Sequence, residues 1–447
     1  MNHTLEKTPK ETAPSAPTLR QAFWYWLRLG FISFGGPAGQ IAIMHQDLVE
    51  DKRWISEQRF LHALNYCMVL PGPEAQQLAT YIGWLMHKTR GGLLAGGLFV
   101  LPSLLILMVL SYIYMRFGST PAVAGILYGI KPAVVAIVLF AAVRIGSRAL
   151  KNKALWTIAC ASFLAITVLK LPFPLIIGLA ALIGYLGNRF VPKVFSDKSG
   201  HKASQKSYGK AVIDDDTPTP AHAHFNWRGF IQFLLIGMVI WLAGMAALSA
   251  VYGWQAVYTQ MAWFFTKAAL LTFGGAYAVL PYVYQGAVTH YSWLTPTQMM
   301  DGLALGETTP GPLIIVVAFV GFVGGWQHAA IYSPLISAVI AALVVTFFTF
   351  LPSFIFIFMG APFIESTKDN LKLTAPLSAI TAAVVGVIVA LALFFALQVF
   401  WPNQLNIDWF AMLAATLGFV ALFKFKLNTI KLIGVFALLG LLHAWLI

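Results

Sequence analysis

Long apolar stretches alternate with short polar ones from Gln21 to the last residue of the chain. Six of them lie in the first half, near 22–44, 60–86, 92–115, 122–143, 154–169 and 173–189. Seven follow, near 229–252, 261–284, 297–325, 333–359, 377–399, 409–424 and 430–447. Most match the roughly 17–25 residues that an α-helix needs to cross a bilayer. The pattern predicts an all-α polytopic membrane protein of about 13 transmembrane helices. Between the halves, Val191 to Asn226 carries Asp214-Asp215-Asp216 among prolines, histidines and lysines. Its apolar surface is too small to fold alone, so it reads as a solvated linker. The chain thus divides into an N-terminal arm (1–20), a first unit (21–190), a polar linker (191–226) and a second unit (227–447) with one extra leading helix.

Composition agrees, since 59% of residues are hydrophobic and 10% charged, against about 25% charged in a soluble domain. A soluble enzyme is excluded. The net charge of +13 suits a nucleic-acid binder until the basic residues are located. The arm, Lys88 and Arg90, Arg144 to Lys153, Arg189 to Arg228, Lys368 and Lys372, and Lys424 to Lys431 all fall on one alternating set of loops. That asymmetry orients the chain with its N-terminus cytoplasmic and its C-terminus outside, and leaves no case for nucleic acid. Lys52, Arg53 and Arg59 fall on the other set, so the segment before them is a candidate re-entrant loop. The arm lacks the apolar core of a signal peptide, and no removable leader is expected. Cys67 and Cys160 lie in apolar runs, where buried small hydrophobes are expected and a disulfide framework is not.

Self-comparison gives the sharpest organisation. At a constant offset of 239, Trp24 aligns with Trp263, Phe34-Gly35-Gly36 with Phe273-Gly274-Gly275, Gln46 with Gln285, Trp54 with Trp293, and Pro71-Gly72-Pro73 with Pro310-Gly311-Pro312. At offset 250, Leu101-Pro102-Ser103 aligns with Leu351-Pro352-Ser353. The two units are homologous repeats. The extra helix at 229–252 makes equivalent elements odd- and even-numbered spans (1 and 8), so the repeats are expected to be inverted, as in many secondary transporters.

Both repeats carry helix breakers at the same two places. Glycine pairs and Pro-Gly-Pro interrupt a helix, and broken backbone at membrane depth lines a cavity or is buried in protein. Proline favours the first position of a new helix, so Pro73 and Pro312 are expected to start half-helices whose free N–H groups attract anions. Arg28 and Lys267 are also related by 239 and each precedes its Phe-Gly-Gly by six residues. A cation inside a membrane costs about 2.5–3.5 kcal/mol or more and is a functional candidate by default; the bland alternative is that Arg28 snorkels to the interface. Glu74, Gln77 and Tyr81 share a helical face after Pro73, whereas repeat two has Leu313, Val316 and Val320 there and carries Glu307 before its Pro-Gly-Pro. Glu74 or Glu307 could carry a coupling proton, or be held statically by Arg28, Lys131 or backbone. His62 and His290 read as interface residues or proton relays, and His222-Ala-His224 as polar linker or a loose metal site. No HExxH, GxSxG, GxxxxGK[ST] or paired CxxC is present, so no catalytic template, cofactor or metal is expected.

At these residues the chain resembles the chromate ion transporter family in its long two-domain form. The matching strings are FISFGGPAGQIAIMHQDLVEDKRWIS (31–56), LPGPEAQQLATYIGW (70–84), TFGGAYAVLPYV (272–283), WLT (293–295) and TPGPL (309–313). The resemblance implies a plasma-membrane carrier that exports chromate from the cytoplasm and gives chromate resistance, with a link to sulfate through the likeness of the two oxyanions. It also implies functional positions at Phe34, Gly35, Gly36, Pro37, Pro71, Gly72, Pro73 and Glu74. Repeat two departs from the fuller pattern, with Ala276 for Pro37 and Leu313 for Glu74. Taken with the breaks, the expected anion site comprises Arg28, Lys267, Phe34, Gly35, Gly36, Pro37, Gln40, Pro71, Gly72, Pro73, Gln77, Phe273, Gly274, Gly275, Pro310, Gly311 and Pro312, with Glu74 and Glu307 as coupling groups. Its expected partners are chromate or sulfate, a coupling ion (a proton or an exchanged anion), the bilayer, and a second copy of the chain in a homodimer. The alternatives are an organic-anion carrier of the same fold, a passive channel, and a membrane-embedded enzyme built on Glu74 and His62.

Overall fold

The computed structural model describes residues 13–34, 36–190, 208–329, 332–366, 374–402 and 406–446. They form an all-α membrane fold with one isolated β-bridge. Repeat one runs α1 (Leu19–Ile32), α2 (Gly36–His45) continuing as a π-turn (Gln46–Asp51), α3 (Glu57–Val69), α4 (Glu74–Phe117), α5 (Pro121–Ala149), α6 (Lys153–Thr167) and α7 (Phe173–Phe190). After the leading helix α8 (Trp227–Tyr252), repeat two runs α9 (Val257–Leu270), α10 (Ala276–Tyr284) with its π-turn (Gln285–His290) and α11 (Pro296–Thr308). It continues through a 3-10 turn (Leu313–Ile315) to α12 (Val316–Gln327), α13 (Pro334–Ser366), α14 (Thr374–Phe400), α15 (Trp409–Phe423) and α16 (Thr429–Leu446). The π-turns and the pair α3 and α11 coincide at both ends under the offset of 239. Among the described residues, six helices are long and apolar enough to cross a membrane. In α8 only Gly237 and Met245 are buried, as suits a helix whose remaining apolar surface meets lipid.

The structure differs from thirteen simple crossings in one respect. Four stretches, 22–44, 60–86, 261–284 and 297–325, each break in the middle and fold back. In the first, Tyr25 of α1 meets Trp54, beyond the π-turn, at 5.1 Å between rings; the equivalent pair in repeat two, Phe264 and Trp293, lies at 5.7 Å. In the second, Arg59 at the start of α3 and Tyr81 on the first limb of α4 both reach Glu365. In the fourth, Gly302 of α11 lies against Phe319 of α12, and Gly306 against Val316. Each limb spans about 20 Å at 1.5 Å per residue, short of the roughly 30 Å hydrocarbon core. Hydropathy reads such a hairpin as one span because both limbs are apolar. The first limb of α4 ends at His87 and Lys88, which leave helical backbone; repeat two has a full break there, between α12 and α13.

Folding back also accounts for the basic loop that broke the charge alternation. Val212 and Ile213 donate backbone hydrogen bonds to Arg53 and Trp54 (2.9 and 3.1 Å), and Ser56 donates to Ile213 (2.9 Å). Arg59 reaches the Thr217 carbonyl at 2.5 Å. The loop therefore shares the linker's side of the molecule. These contacts revise the solvated linker: 208–226 is packed, because the short extended stretch between the π-turn and α3 offers backbone groups that a helix would have consumed. The first half of the linker and arm residues 1–12 lie outside the described residues.

Beyond the hairpins the repeats interlock through small residues, which allow close backbone approach where lipid provides no hydrophobic drive. Gly125 and Gly129 of α5 pack on Gly440 of α16, and Gly386 of α14 packs on Ala159 of α6. Cys67 is buried as expected, but Cys160 is exposed, on the outward face of α6.

Candidate functional site

The four hairpin tips meet, and they meet crosswise. The Gly72 N–H in the second tip of repeat one donates to the Thr272 carbonyl in the first tip of repeat two at 2.8 Å. The Gly311 N–H in the second tip of repeat two donates to the Ser33 carbonyl in the first tip of repeat one, also at 2.8 Å. These bonds are related by the 239 offset. Glycine is required at both donors, since Gly72 and Gly311 have φ of 132° and 91°, a region that costs other residues roughly 1–2 kcal/mol. Ser353 Oγ lies against Gly72 and Ser103 Oγ against Gly311, so the Leu-Pro-Ser pair at offset 250 completes the same centre. The Gly72 and Gly311 N–H groups are thus spent on holding the tips together.

Free donors lie immediately beyond them. The helix starts after Pro73, Gly275 and Pro312 have no side-chain cap, leaving first-turn N–H groups at Glu74, Ala276 and Leu313. By contrast α1, α3, α6, α8, α11 and α15 are capped by Thr18, Ser56, Asn152, Asn226, Thr295 and Asp408, although α5 and α9 are not. Around the tips Gln40 donates to the carbonyls of Gly311 (2.5 Å) and Ser33 (3.3 Å), and Gln77 donates to the Pro71 carbonyl (2.8 Å). Ser33 Oγ, Ser353 Oγ and the side-chain carbonyls of Gln40 and Gln77 are buried without a hydrogen-bond partner. A buried polar atom left unpaired costs about 1–3 kcal/mol, so the four at the tips make this the candidate place for a polar ligand.

The carboxylates flank this centre. Glu74 opens α4 beside Gly275 of the opposite repeat, its Oε1 at 4.0 Å from the Cβ position of that glycine. Glu307, near the end of α11, accepts the Tyr277 hydroxyl at 2.5 Å, and Tyr277 stands in the first turn after the same tip. Both acids therefore converge on the Phe273-Gly274-Gly275 tip. Phe34, Gly36, Pro37, Phe273 and Pro310 belong to the tips or their first turns; Gly35 lies outside the described residues.

The matched cations lie away from the tip contacts. Arg28 is exposed on α1, and the Lys267 ammonium sits 5.3 Å over the Trp263 ring, one turn back along α9, an attraction worth about 0.5–1 kcal/mol at an exposed site. His62 bonds the Ile364 carbonyl at 3.2 Å and His222 the Trp84 carbonyl at 3.0 Å. Sequence reasoning passed over Ser33, Thr272, Ser103 and Ser353, although the Leu-Pro-Ser match was its signal for two of them. It also passed over Tyr277 and Asp301, which no motif marks.

Comparison with known proteins places these features in a group. A family described as Chromate transporter matches residues 20–185 and 259–441, taking in both repeats and all four tips. The chain is 31% identical to a protein named chromate transport protein from Cupriavidus metallidurans, over 96% of this chain and 94% of that one. It is 32% identical to a chromate transport protein from Pseudomonas aeruginosa, over 98% and 94%, and 26% identical to an uncharacterized transporter of Methanocaldococcus jannaschii, over 99% of each. No solved structure matches the chain.

Proposed function

The chain belongs to the chromate transporter family, and we propose that it carries chromate across the plasma membrane as a secondary active carrier, in the direction of efflux. The reading rests above all on the crossed tips, where uncapped helix starts and the unpaired buried hydroxyls of Ser33 and Ser353 lie between two homologous repeats. A tetrahedral dianion offers four acceptor oxygens. Ser33, Ser353, the second amide hydrogen of Gln77, and the first N–H groups of α4 and α10 supply donors for them, while Gln40 spends both of its amide hydrogens on the Gly311 and Ser33 carbonyls and so holds the tips in place. Arg28 and Lys267, about 8 Å of helix rise before their tips, attract the anion toward the centre rather than clasp it.

The ends that touch support an inverted arrangement of the repeats. Arg59, Glu365 and the linker meet on one face. Elements half a repeat away meet in the pairs Tyr114 with Asp301 and Tyr128 with Asp408. With the linker cytoplasmic, the basic loop at 52–59 joins the positive-inside set, and repeat two faces the other way. Rocking one repeat on the other about the tip bonds would open the centre to alternate sides, with Glu74 and Glu307 taking up protons as the anion leaves. A membrane-embedded enzyme on Glu74 and His62 gains nothing here, since His62 serves α13 at the rim.

The test is counterflow of radiolabelled chromate in proteoliposomes holding purified protein. Trans-stimulated exchange is expected, and equal stimulation by sulfate would extend the substrate class to tetrahedral dianions generally. Flux that neither saturates nor responds to trans chromate would identify a channel and defeat the proposal.

A further inference from the structure

We propose that Asp301, with Tyr114 and Lys131, forms a proton-binding site on the face opposite the linker, separate from Glu74 and Glu307, through which a pH gradient acts on the carrier. It rests on the reading of the chain as an anion carrier. Asp301 lies in α11 and is 2% exposed. Its Oδ2 accepts the Tyr114 hydroxyl at 3.0 Å, while its Oδ1 has no hydrogen-bond partner. A cavity of about 360 Å³ beside the α4–α5 turn is lined by Asp301, Tyr114, Lys131 and Gln298, room enough for water to reach the carboxylate. A buried carboxylate with an open lone pair beside a wet cavity is the arrangement that binds or releases a proton.

The surroundings select a proton over other ligands. The elements packed on α11 are α4, α5, α12, α14, α16 and the 313–315 turn. Of these α4 contributes Tyr114, and α5 contributes Lys131, the positive charge that acts on Asp301. The segments α12, α14 and 313–315 contain no ionisable residue. In α16, His443 is stacked on Tyr128 and Phe410, and Lys431 lies at the opposite end. On α11 itself, Glu307 is engaged by Tyr277. One carboxylate beside an ammonium cannot provide the six or so oxygens that a hard cation such as Mg²⁺ or Ca²⁺ needs, and an anion drawn to Lys131 would meet the Asp301 charge.

The pseudo-symmetry gives the site a reason. Subtracting 239 from Asp301 and Gln298 gives His62 and Arg59, and adding 250 to Tyr114 gives Ile364. At the linker face, His62 bonds the Ile364 carbonyl and Arg59 pairs with Glu365 at 3.4 Å, so that cluster is satisfied. The same position on the far face is a carboxylate with one oxygen open. Asp301 belongs to repeat two, while Tyr114 and Lys131 belong to repeat one. Transfer of a proton from hydronium in the cavity to Oδ1 leaves water and a neutral acid, and removes the attraction between Asp301 and Lys131 across the repeat boundary.

Two measurements on the purified full chain test this. In proteoliposomes, Asp301→Asn should keep chromate counterflow near the parental rate while accumulation driven by a pH gradient falls at least about tenfold; Tyr114→Phe, which keeps the acid, should retain the drive with a displaced pH midpoint. In detergent, a pH indicator should record about one proton fewer bound per chain for Asp301→Asn between pH 8 and 5. Parental accumulation by Asp301→Asn, loss of its counterflow together with its drive, or unchanged proton uptake would each overturn the site. A parental protein that lacks counterflow but still differs from Asp301→Asn in proton uptake would instead count against chromate as the substrate and for the site.

Discussion

The two repeats share a backbone and differ in chemistry. Equivalent breaks, equivalent π-turns and two reciprocal tip bonds of 2.8 Å show how closely the chain path is kept. Yet behind the tips repeat one has Gln40, Glu74 and Gln77 where repeat two has Val279, Leu313 and Val316. Repeat two places its own acid, Glu307, on the entering limb of its second hairpin, bonded to Tyr277. In the carrier proposed above, the symmetric part would serve the two alternating conformations alike, and the asymmetric part would serve the substrate cycle. Scaffold and site are therefore separable, and substitution can probe each in turn.

The largest effect should come from the scaffold. Gly72→Val and Gly311→Val each force a branched side chain onto a left-handed backbone against a serine, and each should reduce chromate exchange to about a hundredth or less; if one alone were harmful, the tips would not act as a pair. Next is the side-chain asymmetry. Gln77→Val, which gives repeat one the residue of repeat two, removes a buried hydrogen bond and an oxyanion donor and should weaken chromate binding by about tenfold, whereas Val316→Ala should change it less than twofold. Arg28→Gln and Lys267→Gln, acting at a distance, should lower the uptake rate by about threefold each at low salt, and the deficit should shrink as salt screens the field.

The smallest effect concerns the linker. Burial lowers His222 from its ordinary 6.5, against the opposing hydrogen bond to the Trp84 carbonyl and with help from Lys88. Docking therefore favours the neutral ring. The contact should be strongest above pH 6.5 and weaken as the pH falls, because the undocked segment then binds the proton more readily. Hydrogen exchange at Val212 and Ile213, corrected for intrinsic rate, should quicken by about threefold on going to pH 5.5, and His222→Gln should abolish the change.

Much of this was legible in the sequence because repetition turns weak signals into strong ones. Phe-Gly-Gly and Pro-Gly-Pro at one offset located all four breaks, and Glu74 and Gln77 followed from the polar face after Pro73. Folding back was not legible, because a stretch such as 22–44 is apolar from end to end whether it crosses or returns. Only the misplaced charges of Lys52, Arg53 and Arg59 hinted at it. Ser33 and Ser353 escaped notice because a serine in an apolar helix differs little in pattern from an alanine. Arg28 and Lys267 were conspicuous by type and offset, yet the offset fixes only their axial position; the helix rotation that leaves Arg28 exposed is a tertiary property. The crossing of tips between repeats has no counterpart within either repeat, and needs both halves assembled.

The central claim is that the crossed tips hold the dianion, and equilibrium binding of radiolabelled chromate to purified protein tests it most directly. Gln40→Ala combined with Gln77→Ala should leave the protein folded but raise the dissociation constant at least about tenfold, while Arg28→Gln combined with Lys267→Gln should raise it no more than about threefold. Parental affinity in the glutamine pair, with binding lost in the cation pair, would contradict the account and move the site from the tips to the charges.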